Sequence, residues 1–289
     1  MDITADLIKA SILTEDDFGH EMRVRKVLES VPGAEVTHGW TYRDPQEGKP
    51  RQFDLRFTLR HEKYGRCIQL AVECKNLSPD APLIVSGTDR VASESFHDYI
   101  KSETRIGLAF GQTAFTPSNS IQRCEGASSV YKPGAFVGKS LLRLKPDAKE
   151  SNLVRAAAQE SEIYGRWSQS LASADELCKR APNFGFGQSK VAAVTTVTLP
   201  FVVVPDGTLW KCHYESTGKI RGAPIPADEV FFFINHLVEV RLLPMEQGRV
   251  ALSHVHFVTL KGLRLFIQGL MSSVPGRWEE WFYGTRATG

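Results

Sequence analysis

Two runs of alternating apolar and polar residues stand out in the first third of the chain, "RQFDLRFTLR" from Arg51 and "CIQLAVECKN" ending at Asn76. In the first, Phe53, Leu55, Phe57 and Leu59 alternate with Asp54, Arg56, Thr58 and Arg60. In the second, Ile68, Leu70, Val72 and Cys74 alternate with Gln69, Ala71, Glu73 and Lys75. A period of two puts each set on one face of a strand. Upstream, Phe18, Met22, Val24, Val27 and Leu28 form the apolar face of a helix that follows a cap-like cluster at Thr14–Asp17 and stops at "VPG". "AEVTHGWTYRD" then reads as a strand closed by the turn-forming "DPQEGKP".

A second amphipathic helix is predicted over Leu153–Arg180, with Ile163, Trp167, Leu171, Ala174 and Leu177 along one side. "VTTVTLPFVVVPDGTLWKCHY" predicts two strands joined at Pro205-Asp206-Gly207. A helix at "PADEVFFFINHL", strands around "VEVRLL" and "ALSHVHFVTL", and a closing helix at "KGLRLFIQGLM" follow. Between Ser78 and Asn152 the pattern breaks into small and turn-forming residues. That is too long for a simple loop, so an insertion with order of its own is expected. The expected architecture is one mixed α/β domain over 1–289, with a core at 14–77 and 153–214, an insertion at 78–152 and a C-terminal α/β extension at 215–289.

Composition narrows the function classes. A net charge of +2 is too small to mark a general nucleic-acid binder, so any basic surface must be local. The five cysteines, at 67, 74, 124, 178 and 212, form neither a disulfide framework nor a zinc ligand set, and they suit a reducing cytoplasm. The acidic N-terminal stretch has no long apolar run, so no signal peptide is expected. The longest apolar stretches fall far short of a membrane span.

The candidate chemistry lies in the polar faces of the two alternating runs. If they form an antiparallel hairpin, their apolar faces must coincide, which pairs odd residues of the first with even residues of the second. The register Leu55 with Val72 and Leu59 with Ile68 meets this condition and sets Asp54 across from Glu73. Cross-strand Cβ atoms are about 5 Å apart, a spacing at which two carboxylates can share a divalent cation and at which, without one, they repel. Lys75 falls on the same face, one pleat beyond Glu73. Glu47-Gly48-Lys49 and Asp147-Ala148-Lys149 have the same acidic-x-Lys form, but neither ends an apolar strand.

Asp54 on one strand and Glu73-Cys74-Lys75 at the end of the next resemble the PD-(D/E)xK nuclease superfamily, the fold of many restriction endonucleases and Holliday-junction resolvases. The resemblance covers Phe18–Leu77 and, more loosely, Leu153–Tyr214, with an unusually long gap between. It implies a restriction-endonuclease-like core, a mixed central sheet flanked by helices. It also implies a Mg²⁺- or Mn²⁺-dependent endonuclease acting on DNA. Asp54, Glu73 and the Cys74 carbonyl would hold the metal, and Lys75 would act on the attacking water or the phosphate. Glu21 matches the acidic residue of the leading helix, and Gln169 the residue that the following helix points at the site.

Arg56 and Arg60, on the face of Asp54, are candidate phosphate contacts. The insertion is expected to form a cover beside the site, with Arg90, Arg105 and Lys132 for phosphates and Phe96, Tyr99, Phe110 and Tyr131 for packing or stacking. A homodimer or a larger defence-type complex is the assembly the resemblance suggests. The alternative reading is a non-catalytic nucleic-acid-binding or assembly module on the same scaffold. "PGAFVGKS" has the wrong glycine spacing for a phosphate-binding loop, Ser129 and Lys132 lack companion motifs, and His254 and His256 share one face of a strand.

Overall fold

The computed structural model describes residues 3–43, 48–61, 64–109, 112–146, 154–158, 160–183, 193–244, 246–272 and 276–283, without the side chains of 14–15, 105–109, 112–116, 145–146, 154–158, 160–167, 183, 276–278 and 283. It is a mixed α/β structure built on one large sheet. The chain opens with helix α1 (Ala5–Glu15), whose first turn is capped by Thr4 Oγ1 accepting from Leu7 N at 3.3 Å. Its apolar Leu7, Ile8, Ile12 and Leu13 are exposed. Helix α2 (Phe18–Glu29) buries Val24 and Leu28 of its predicted apolar face together with His20, whereas Phe18 and Met22, predicted on that face, are exposed.

The strand expected after α2 is two strands, β1 (Ala34–His38) and β2 (Thr41–Arg43). They are separated at Gly39, whose φ of +70° lies in the left-handed region that favours glycine. β2 pairs with β3 (Pro50–Gln52) in a small separate ribbon. The alternating runs form β4 (Leu55–His61) and β5 (Arg66–Cys74), antiparallel in the predicted register: Leu55 faces Val72 and Leu59 faces Ile68.

The described residues of the segment 78–152 do not form a separate cover. It folds into β6 (Leu83–Asp89), β7 (Phe96–Ala109), β8 (Gln112–Glu125) and β9 (Phe136–Pro146), all strands of the main sheet. The Leu153–Arg180 helix begins later than predicted, because β10 (Val154–Ala158) first pairs with β9. Helix α3 then spans Glu160–Arg180.

Strands β11 (Ala193–Val204) and β12 (Leu209–His213) match the predicted pair, and a two-residue strand β13 (Ile225–Pro226) follows. "PADEVFFFINHL" is not helical. It enters β14 (Glu229–Leu242), which pairs along its length with β15 (Glu246–Thr259). Val230, Phe233, Ile234 and Leu237 mimic a helical spacing, but three consecutive phenylalanines favour the pleated sheet. The strand absorbs the mismatch in a bulge at Asn235, where φ is +50°. Helix α4 (Leu260–Met271), capped by Thr259, and helix α5 (Gly276–Tyr283) close the chain.

The strand order is β1-β4-β5-β11-β15-β14-β9-β6-β12-β13, with β7 also pairing with β11. β11 runs parallel to both β5 and β15. The C-terminal segment is thus a structural neighbour of the core strand and not an appendage. On one face of the sheet, Leu171, Ala174, Leu177 and Cys178 of α3 pack with Ala71, Val202 and Val204. On the other, Val24 and Leu28 of α2 and Leu263 and Ile267 of α4 pack with Leu55, Phe57, Ile68, Leu70 and Val72.

The second core holds a group of buried rings around Tyr131. His254 stacks on it at 3.7 Å between centroids, and the Tyr131 hydroxyl lies 2.7 Å from His256 Nε2. His97 bridges Ser129 Oγ at 3.1 Å and the Trp281 carbonyl at 2.9 Å. His254 and His256 are therefore packing residues of β15. Burial lowers His97 to about 4 and His256 to about 3, and lowers His254 well below the usual imidazole range. All three are neutral when folded and bind protons only once unfolded, so the stability they contribute is present above about pH 6.5 and lost as pH falls below it. Replacing His254 with Phe should remove one of these protons. Relative to wild type, the variant should gain stability as pH falls from 6.5 to 4.5, measured by urea unfolding; a pH-independent difference would refute the assignment.

Candidate active site

Glu73 is the last acidic residue of a strand buried on both faces, and it is itself only 1% exposed. Backbone pairing fixes its neighbourhood. Lys75 N donates to the Val203 carbonyl of β11 at 2.9 Å, and His20 Nε2 of α2 lies 3.1 Å from the same oxygen. The ends of β5 and β11 and the start of α2 therefore converge. Ligand sites in α/β sheets favour such carboxyl ends of parallel strands.

Asp54 lies one residue before β4. The β4–β5 register carried one step further sets it across from Glu73, and Cys74 N donates to its Oδ2 at 2.7 Å. On its other side, its carbonyl accepts from Gly39 N at 3.1 Å. The chain bends at Asp54, so Phe53 leaves the apolar face predicted for it. Its ring instead lies 4.0 Å from the Arg56 guanidinium and 6.4 Å from the Tyr42 ring.

Lys75 Nζ lies 2.6 Å from Glu73 Oε1 and 3.3 Å from Asp17 Oδ2. Asp17 is the N-cap residue of α2, yet its side chain makes no cap hydrogen bond; Oδ1 accepts from Asn76 N at 2.6 Å. Gln169 reaches the site from α3 on the opposite face. In the amide orientation that satisfies its neighbours, its nitrogen donates to Glu73 Oε1 at 2.5 Å and its oxygen accepts from Arg51 Nη1 at 3.3 Å. Glu21 is near enough to Asp54 to act on its charge, but its Oε2 is engaged by His38 Nε2 at 3.0 Å.

The structure thus brings together Asp54, Glu73, Cys74, Lys75 and Gln169, with Glu21 at the margin. It adds Asp17, His38, Arg51 and Asn76, which the sequence reading missed: Asp17 and His38 lie outside the alternating runs, and Arg51 and Asn76 stand at their ends, where the alternation assigns no role. One signal was available: Asp17 opens the same helix as Glu21.

The basic residues fare differently. Arg56 is 8% exposed beneath α3, its Nε donating to Ser173 Oγ at 3.1 Å, so it does not face a substrate surface. Arg60 lies at the far end of β4, paired with Glu35 at 3.1 Å. Arg90 is 3% exposed, bonded to the Lys132 and Phe136 carbonyls and packed on Tyr131 and Phe231. Lys132 Nζ donates to the Ala127 carbonyl at 2.7 Å. The side chain of Arg105 and all of Phe110 lie outside the described residues. β7 meets β11 at Ala193–Thr196, beside the Arg66 end of β5 and roughly 20 Å along the strand from Glu73. Arg90 and Lys132, the described members of the predicted basic set, are thus engaged away from the carboxylates.

Electrostatics mark the pair. Burial raises Asp54 to about 6, against the Cys74 N–H and Lys75, which lower it. Burial, then the Asp54 charge, raises Glu73 to about 8. Burial alone would lower the Lys75 ammonium, but Glu73, Asp54 and Asp17 together raise it. Among the described residues no group of three or more His, Cys, Asp or Glu side chains is gathered for a metal. The donors present, two carboxylates and the Cys74 carbonyl, are all oxygens. They fit a hard dication such as Mg²⁺, which is commonly held by one or two carboxylates with water and phosphate completing its shell.

Both carboxyls bind protons more tightly folded than unfolded. Their contribution therefore favours the metal-free fold at low pH and is lost as pH rises from about 4 through about 8, opposite in sign to that of the buried histidines. Asp54→Asn keeps an acceptor for Cys74 N and removes a charge. It should stabilise the metal-free protein at pH 8 by about 1 kcal/mol, roughly 2–4 °C in Tm, with little effect at pH 4. Destabilisation at pH 8 would contradict the strained pair.

Comparison of the chain with protein-family models, curated proteins and solved structures finds no match in any of the three.

Proposed function

We propose that this protein is a Mg²⁺-dependent phosphodiesterase acting on nucleic acid, with DNA as the first substrate to test, and that its core is of the PD-(D/E)xK type. The observation that carries this reading is the contact of Gln169 with Glu73. Gln169 was singled out only because the resemblance implies a helix pointing such a residue at the site. Gln169, half-buried and far along the chain, meets the buried glutamate of the Glu-x-Lys triplet where the resemblance implies it. The leading helix with Glu21, the paired Asp54 and Glu73 strands and Lys75 agree with the same reading.

The side chains divide the work. Asp54 and Glu73 would hold the metal, which when bound neutralises charge on the scissile phosphate and lowers the pKa of an attacking water. Gln169 fixes the Glu73 carboxylate by donating to Oε1. Lys75 is held as a charged ammonium between Glu73 and Asp17. In that state it donates hydrogen bonds and does not take a proton. Its role is to orient the water and to stabilise charge on the pentacovalent phosphate. The Asp17 and Asn76 contacts hold Lys75 at the strand end.

One observation favours the second reading, a non-catalytic nucleic-acid-binding or assembly module. Glu21, the third carboxylate the resemblance implies, is engaged by His38. Cleavage separates the two. Wild-type protein should nick supercoiled plasmid or cut labelled oligonucleotides in millimolar Mg²⁺. Glu73→Ala and Lys75→Ala should each lose about 10³-fold in rate or more, and Gln169→Ala about tenfold. Wild-type rates in the Glu73 variant would rule out this site; absence of cleavage by wild type with Mg²⁺ or Mn²⁺ would favour the binding module.

A further inference from the structure

Two large aromatic side chains stand in solvent on backbone that adjoins the Asp54–Glu73 site. Trp40 is 68% exposed and Phe18 is 54% exposed. A lone exposed aromatic is ordinary on any surface. What singles out Trp40 is its mounting. Its carbonyl accepts from Phe53 N at 3.2 Å, and Gly39 N donates to the Asp54 carbonyl at 3.1 Å. The indole is therefore carried on backbone bonded to the two residues that lead into the carboxylate pair, about one cross-strand step from Asp54. Gly39, at φ +70°, turns the chain out of β1 just before Trp40, and β2 pairs with β3 immediately after it. Both flanks of Trp40 are fixed while its ring is left in water.

Phe18 stands on the neighbouring wall. It is the first residue of α2, follows the Asp17 that contacts Lys75, and its ring lies 6.0 Å from that of His38. The β2–β3 ribbon that begins beside Trp40 also carries exposed Arg43, with exposed Lys49 just before β3, while Arg51 of the same ribbon is turned to Gln169. Rigidly mounted aromatics with cations alongside are the two ingredients by which proteins hold unpaired nucleotides: base faces stack on rings while phosphates follow the positive charge. Inside a duplex those base faces are already covered by neighbouring pairs, so a ring platform selects strands whose bases are free.

We propose that Trp40, assisted by Phe18, stacks on an unpaired base and directs the site to single-stranded nucleic acid or to strands with unpaired ends. This rests on the nuclease reading of the Asp54–Glu73 site. Trp40 is a positioning residue; it takes no part in the proton or phosphoryl chemistry.

The test uses full-length Glu73→Gln protein, which binds without cutting, and fluorescently labelled oligonucleotides followed by anisotropy. A single strand and a blunt duplex of the same length are compared. Trp40→Ala should weaken single-strand binding about tenfold or more while changing duplex binding less than about twofold; Trp40→Phe should restore most of the loss. Equal loss on both substrates, no loss on either, or failure of the parent protein to bind the single strand would overturn the proposal. The cleavage assay on wild type reports separately on the nuclease reading. A Trp40-dependent single-strand preference without cleavage would uphold the stacking role and reject hydrolysis.

Discussion

Burying Glu73 is the constraint around which this region is organised. β5 runs between β4 and β11 with both faces covered, so a carboxylate near its end cannot rely on bulk water. The fold answers with groups from four directions: Lys75 two residues on, Gln169 from α3, Asp17 at the head of α2 acting through Lys75, and the Cys74 N–H holding Asp54 opposite. The balance is incomplete, because the carboxylates of Glu73, Asp54 and Asp17 share one close ammonium. An unbalanced buried anion costs stability that an ordinary core would avoid, and perturbed groups of this kind concentrate at functional sites.

The hairpin carrying the pair was legible because parity leaves little freedom. Leu55, Leu59, Ile68 and Val72 share a core only in one family of registers, and the short gap between the runs selects within it. The same parity misassigned Phe53, since a bend at Asp54 ends the alternation, and nothing in the composition of "RQFD" announces the bend. Arg56 was misread for a related reason. Parity put it correctly on the face of Asp54, but whether a strand face meets solvent or a helix depends on α3, far away in the chain. Gln169 came through resemblance alone. Asp17, His38 and Asn76 act by tertiary contact from positions with no periodicity to betray them.

The larger misreading concerned the segment from 78 to 152. Its small and turn-forming residues suggested a separately ordered insertion, whereas its glycines sit within a sheet that needs them where strands crowd. A Cβ at Gly87 would lie 1.9 Å from the Val137 carbonyl oxygen, and one at Gly138 would lie 2.4 Å from Val85. Likewise the phenylalanines of β14 carry an apparent helical period that pairing with β15 overrides. Local pattern identified elements that complete a core nearly by themselves, and failed for strands whose identity comes from their partners.

The position of β11 has a consequence for the integrity of the protein as a unit. Lys75 leaves β5 bonded to Val203, on a strand that the chain reaches only after passing through β6 to β10 and α3. β11 is in turn held by β15, and β15 by β14. The short stretch that bears Asp54, Glu73 and Lys75 is therefore not a transplantable cassette. Its geometry is closed by the second half of the chain, and shuffling the first hundred residues onto another scaffold would carry over the side chains without the arrangement that gives them their charge states.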